Sequence, residues 1–205
     1  DMFFGLEDYT GDIATIFDNP PALGGTHIDE SAPDLESVRA QRKLRSPSLF
    51  GEHVLEVCAM ADIVFLALHG RTGEDGRVQA TLDLLGIPYT GSGYLGSAIA
   101  MNKEITKIML RNSGIPVPEG IVLEKGGEVK NVGFPCVVKP CSGGSSVGTS
   151  MVANEEEYAA ALELAFKFED HVLVERFIKG RELTVGVMGG KAMPVIEIIP
   201  KAGWY

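Results

Sequence analysis

Apolar residues along this 205-residue chain follow two rhythms, and the change between them divides it. Residues 1–48 are weakly patterned and rich in Gly, Asp and Pro, with Ile13 to Phe17 predicted as a strand and turns at Pro20-Pro21 and Gly24-Gly25. From Phe50 to Met60 the spacing is helical, with Val54, Val57 and Cys58 on one face. Asp62 to Leu68 is a continuous apolar run, the pattern of a parallel strand buried on both faces. A loop, His69 to Gly76, follows it. Val78, Leu82 and Leu85 then recur at helical spacing and stop at Gly86. Ile87 to Thr90 reads as a short strand, and Ser97 to Asn112 as a helix closed by Gly114. Strand, loop and helix in alternation predict an α/β layer on a parallel sheet.

After Pro116 and Pro118 short strands take over: 121–123, 136–139, 172–175, 183–188 and 195–199. One helix, about Glu155 to Phe168, interrupts them. Asn154 is placed to cap it, and Glu155, Glu156 and Glu157 suit the positive end of its dipole. Strands with few helices predict an α+β module with a largely antiparallel sheet. The boundary falls near residues 101–118. It closes a first domain at about residue 101.

Charge narrows the partners. With 18 basic and 28 acidic residues the net charge is −10, which argues against nucleic acid or an anionic membrane. Any phosphate site must gather its few cations locally. The three cysteines, Cys58, Cys136 and Cys141, lack metal-type spacing and read as reduced thiols of a cytoplasmic protein. No group with metal-ligand spacing stands out. The sequence opens on Asp1 and stops after an apolar run at Trp204-Tyr205, so one or both ends are expected to be incomplete.

Against that background, Phe134 to Thr149 carries the strongest chemistry. An apolar run ends on Lys139-Pro140, and a Gly/Ser loop follows. Gly143, Gly144 and Gly148 let backbone N–H groups approach an anion closely, Ser145 and Ser146 add hydroxyls, and Lys139 adds a fixed charge. This is the composition of a lid over a polyphosphate.

Other motifs are weaker. Gly91 to Gly96 matches a dinucleotide fingerprint, but the segment after its helix, Ile115 to Glu119, carries prolines that a central strand rejects. A tight turn explains it as well. Lys103 and Lys107 lie four apart on one helix, as on a solvated face; alternatively Lys103 reaches the phosphates held by Lys139. His69 ends a predicted strand, where α/β sheets place ligands, although a lone histidine is more often structural. Arg71 and Arg77 receive no role. Glu175 to Glu182 reads as a charged, hairpin-like connection. Alternation lets both glutamates face one cleft, accepting bonds from ribose hydroxyls, while backbone near Phe177 reads an adenine edge.

Taken together these blocks resemble the D-alanine–D-alanine ligase family of the ATP-grasp superfamily. The resemblance is carried by Ala67 to Gln79, Leu85 to Gly93 with Ala100 to Lys103, Val137 to Pro140 with Gly144 to Gly148, Val174 to Phe177, and Arg181 to Val185. It covers roughly residues 62–205. It implies a parallel-sheet domain over 1–101 followed by an ATP-grasp module, with a central subdomain over 102–182 and the start of a C-terminal one over 183–205. It also implies a reaction, in which ATP phosphorylates the carboxylate of one D-alanine and the amine of a second displaces phosphate, for peptidoglycan synthesis. By the family pattern Lys103, Lys139 and Ser146 contact the phosphates, Ser145 orients the first amino acid, Glu175 and Phe177 hold the adenine end, Glu182 holds the ribose, and His69 lies near the amino-acid pocket. ATP and Mg²⁺ are the implied cofactors, with the metal ligands expected after Tyr205, and a homodimer is the implied assembly. D-serine or D-lactate remain alternative acceptors.

The departures are specific. The family's opening Gly-Gly motif with its Ser and Glu is not found, because Gly24-Gly25-Thr26-His27 lacks the glutamate. The lid carries Cys141-Ser142-Gly143 where a charged or bulkier residue is common. As written, the chain is expected to hold part of ATP without turning over. Two readings from other classes stay open: an NAD-dependent oxidoreductase using Gly91 to Gly96, and a non-catalytic nucleotide-binding fragment.

Overall fold

A computed structural model of the chain describes residues 2–21 and 34–200. The motif at Gly24 to His27 and the end at Trp204-Tyr205 lie outside them. Among the described residues the α-helices are α1 Leu35–Gln41, α2 Val54–Met60, α3 Arg71–Glu74, α4 Arg77–Leu84, α5 Tyr94–Met101, α6 Lys103–Asn112 and α7 Glu155–Ala165. The strands are β1 Gly120–Glu124, β2 Cys136–Pro140, β3 Ser150–Val152, β4 His171–Arg176, β5 Glu182–Thr184, β6 Val187–Met188, β7 Lys191–Ala192 and β8 Ile196–Ile198. The chain divides into two compact units: residues 1–67 with 79–91, and residues 68–78 with 92–200 of the described chain.

The first unit departs most from its hydrophobic pattern. Ile13 to Phe17 is not a strand but a 3-10 turn, Ile13–Thr15, because the Asp12 carboxylate accepts from the Ala14 N–H and starts a turn instead. The run from Asp62 to Leu68 is not a strand buried on both faces. Among the described residues it pairs by one parallel bridge, Val64 with Tyr89, so the expected strand at Ile87 to Thr90 is likewise one bridge. Ile63 and Phe65 are 56% and 79% exposed, since burial on both faces requires a layer on each side. The helix start at Phe50 comes later, at Val54. Gly86 does end α4: it sits at φ 69°, and the Ile87 N–H returns to the Leu82 carbonyl. Asp34 caps α1, accepting from the Glu36 N–H at 3.0 Å.

In the second unit the predicted loop after His69 folds into α3. The Glu74 carboxylate accepts from the Gly70 N–H at 2.8 Å and satisfies a donor the turn would otherwise waste. The single helix expected over 97–112 is two, α5 and α6. Asn102 adopts an extended conformation and accepts from the Ile105 N–H, so one residue closes α5 and caps α6. Gly114 closes α6 at φ 74°, with the Ile115 N–H bonded to the Leu110 carbonyl.

The sheet order is β1-β4-β2-β3, antiparallel throughout. Alternation sorts its side chains. Cys136, Val138, Val152, Val172 and Val174 join Tyr158, Leu162 and Ala165 of α7 in the core. Val137, Lys139, Leu173 and Glu175 occupy the intervening positions and face the other way. Asn154 caps α7 as expected, accepting from the Glu156 and Glu157 N–H groups. The strand expected over 183–188 is split in two: β5 pairs with β8, and β6 pairs with β7, where Gly189 and Gly190 turn the chain at positive φ. The strands β3 and β7 are too short to show in the sequence pattern.

Candidate functional site

The site is assembled by three elements of the second unit. The strand β2 supplies Lys139, its neighbour β4 supplies Glu175, and α6 supplies Lys103 and Lys107. In the β2–β4 register Val137 is opposite Glu175 and Lys139 opposite Leu173, so Lys139 and Glu175 are diagonal neighbours on one face. They form an ion pair, Lys139 Nζ to Glu175 Oε1. The second carboxylate oxygen accepts from Lys107 Nζ at 2.5 Å, and the same ammonium donates to the Pro118 carbonyl at 2.7 Å. Glu175 is 8% exposed and Lys107 9%. Burial alone would raise the Glu175 carboxyl, but the two lysine bonds outweigh it and hold the group below the usual carboxylate range.

Lys103 governs the loop. Its backbone N–H donates to the Cys141 carbonyl at 2.8 Å, and its Nζ to the Gly143 carbonyl at 2.9 Å. Burial, and then the nearby charge of Lys139, push its ammonium below the ordinary lysine range. The base of the loop is fastened further. Cys141 N–H donates to the His171 carbonyl, and Ser142 N–H to the Glu169 carboxylate at 2.6 Å. Burial, with Glu169 nearby, pushes the Cys141 thiol up to about 12, so it stays neutral. At the far end Gly148 sits at φ 70°, where a Cβ would meet the Phe168 ring at 2.7 Å. Ser145, a non-glycine residue at φ 56°, stands at the turn of the loop.

Some of these groups line one cavity of about 930 Å³, within the size range of small-molecule sites. Lys103, Lys139, Ser145, Ser146, Glu175, Phe177 and Glu182 all line it. His69, which is exposed, does not. Five cationic side chains (Lys103, Lys139, Arg176, Lys179 and Arg181) share its wall with three carboxylates, Glu175, Glu182 and Glu197. A chain of net charge −10 therefore gathers positive charge here, as a polyanion site requires.

Two expectations change. Glu175 to Glu182 is no hairpin connection, since β4 belongs to the four-stranded sheet while β5 pairs with β8; both glutamates nevertheless reach one cavity. Lys107 is not on a solvated face. Its spacing from Lys103 was the available signal, because two lysines one turn apart on an otherwise mixed helix point the same way. Glu169 gave none. Among the described residues no group of three His, Cys, Asp or Glu side chains is arranged to hold a metal ion. No helix among them is long and apolar enough to cross a membrane.

Comparison with known proteins accounts for both units. Residues 21–92 match the model of the D-ala D-ala ligase N-terminus, and residues 109–205 that of its C-terminus. The likeness thus begins well before residue 62, where sequence motifs alone placed it. A D-alanine–D-alanine ligase of Pediococcus pentosaceus is 44% identical over a 209-residue alignment that takes in all of this chain and 60% of that protein. One from Geobacter sulfurreducens is 51% identical over 148 residues, 70% of this chain and 47% of its own length. The crystal structure of the Bacillus anthracis ligase complexed with ATP superimposes with a TM-score of 0.66 at 42% identity, covering 74% of this chain and 52% of that one. The chain spans about 60% of the length of the first of these relatives. None of these relatives favours an oxidoreductase, and Gly91 and Gly93 serve as a turn at φ 104° and the N-cap of α5. The chain belongs to the D-alanine–D-alanine ligase family, and its second unit is built on the ATP-grasp plan.

Proposed function

We propose that this chain forms the nucleotide-binding part of an ATP-dependent enzyme that joins two D-alanines for peptidoglycan synthesis. The observation that carries the reading is the convergence of Lys103, Lys139, Ser145, Ser146 and Glu182 on one cavity. In the reaction a carboxylate oxygen of the first D-alanine attacks the γ-phosphorus and ADP leaves. The amine of the second then attacks the acyl carbon, phosphate departs, and the ammonium proton passes to solvent or a base. Phosphoryl transfer asks the protein mainly for positioning and charge neutralisation. Lys103 and Lys139 supply the charge, and the amide region of Ser146 lies beside them. Ser145 orients the first amino acid, Phe177 and Glu175 hold the adenine end, and Glu182 accepts from the ribose. His69 approaches the amino-acid pocket. Among the described residues no group of three His, Cys, Asp or Glu side chains is arranged to hold the Mg²⁺ that the family uses.

The domain division at 1–101, 102–182 and 183–205 belongs to the same reading, as do a cytoplasmic location, no nucleic-acid or membrane partner, and a homodimer. The test uses the protein at the full length of its relatives. Phosphate release that requires both ATP and D-alanine is expected; release indifferent to D-alanine overturns the reading. Replacing the second D-alanine by D-serine or D-lactate identifies the acceptor. On the 205-residue chain, ATP at 100 times its Kd is expected to stabilise by about 2.7 kcal/mol. Stabilisation by NADH instead of ATP restores the oxidoreductase.

A further inference from the structure

Lys107 touches the site without lining it. Lys103, Lys139 and Glu175 face the cavity, whereas Lys107 stands behind Glu175, buried against β4. One carboxylate therefore bridges two ammonium groups of different standing. Lys139, on the cavity side, is 22% exposed at its side chain; Lys107, on the inner side, is 11% exposed and is tied as well to the Pro118 carbonyl.

From this we infer that Lys107 is a positioning residue for nucleotide binding, acting through Glu175. The inference rests on reading the cavity as an ATP site. Before ATP arrives, Lys139 is paired with Glu175. To meet a phosphate or the base, its ammonium must loosen that pair. A buried carboxylate abandoned by its only cation would be left with an uncompensated charge, so it would either hold Lys139 back or take up a proton. Lys107 removes that conflict. It remains on Oε2 while Lys139 leaves Oε1, keeping Glu175 ionised and fixed with one oxygen turned to the cavity. Methylene contacts of a lysine stem would not do this; the positive charge is required.

The obvious alternative is that Lys107 only fastens α6 to the sheet through Pro118. A double-mutant cycle separates the two. ATP affinity is measured by calorimetry on the 205-residue chain and on the protein at its relatives' length. Lys107→Met is expected to weaken ATP binding about tenfold, the scale of one charge-assisted hydrogen bond. Lys107→Arg is expected to recover most of the loss. In Glu175→Gln, adding Lys107→Met is expected to weaken binding no further. Equal losses from Lys107→Met in the native and the Glu175→Gln backgrounds would overturn the inference. Should Lys107→Met fail to fold, Lys107→Gln reads the same cycle.

A second readout does not need ATP. Carbon-13 titration of the Glu175 carboxyl is expected to move upward in Lys107→Met and back in Lys107→Arg; an unmoved titration overturns the inference. If the native chain binds no ATP, the nucleotide reading fails, while this titration still reports on the Lys107–Glu175 link.

Discussion

Two antiparallel regions of the second unit start from similar sequence and end differently. The strand β4 reads Val-Leu-Val-Glu across its centre, and all four residues are buried. The strands β5 and β8 read Glu-Leu-Thr and Ile-Glu-Ile, and five of those six residues are exposed. Propensity does not separate them. What separates them is a second layer. The four-stranded sheet has α7 on one face and the Lys107–Glu175–Lys139 group on the other, whereas the β5–β8 and β6–β7 ribbons have no such cover among the described residues. A strand's composition states what it can bury, and its neighbours decide what it does bury.

The sharpest way to test this contrast lies in the cavity, to which both regions contribute. Lys139→Ala on β2 is expected to lower kcat about 10²–10³-fold, the cost of losing one preorganised electrostatic group. Folding should persist, because Lys107 still pairs with Glu175. An unchanged kcat in the protein at its relatives' length removes Lys139 from the phosphate site.

Packing comes next in size. Leu162→Ala in α7 empties part of the core and should cost about 2–5 kcal/mol in urea unfolding. Leu183→Ala on the exposed β5 should stay within about 0.5 kcal/mol. Equal losses would show that the ribbons are as well covered as the sheet.

Acid probes the other face. The Glu175 carboxyl is held below its ordinary value, so in the folded chain it keeps its charge to lower pH than in the unfolded one. Its contribution is complete above the unfolded carboxylate pKa, about 4.3, and is lost as pH falls through the folded value. Glu175→Gln should flatten that part of the stability–pH curve, and a curve that keeps its slope would assign the acid sensitivity elsewhere. Smallest is the helix cap. Asn154→Ala leaves the Glu156 and Glu157 N–H groups without their acceptor and should cost about 1 kcal/mol.

How much of this was legible follows the range of the forces involved. The core strands of the sheet, α7 and the caps at Asn154 and Gly86 depend on neighbours in sequence, and they read correctly. Lys103, Lys139, Ser145, Ser146 and the two glutamates could be picked out by residue type and pattern, and they line one cavity. The break at Asn102 was not, since an asparagine inside an apolar helical rhythm is tolerated unless its side chain turns back to cap. Glu169 was hidden, and Lys107 was read as solvated, for a related reason: a charge becomes structural only when a distant strand or loop brings its counterpart. The run 62–68 misled because continuous apolarity reports a capacity for burial.

The fastening of the loop has a practical consequence for anyone wishing to watch it. Four bonds tie its first three residues, through Cys141, Ser142 and Gly143, to α6, His171 and Glu169, while Val147 near the opposite end is 59% exposed. A fluorophore attached at Val147 would ride on whatever travels; one attached at Ser142 would sit on the pivot and stay silent. Labelled as a pair, the two positions make the chain its own ruler.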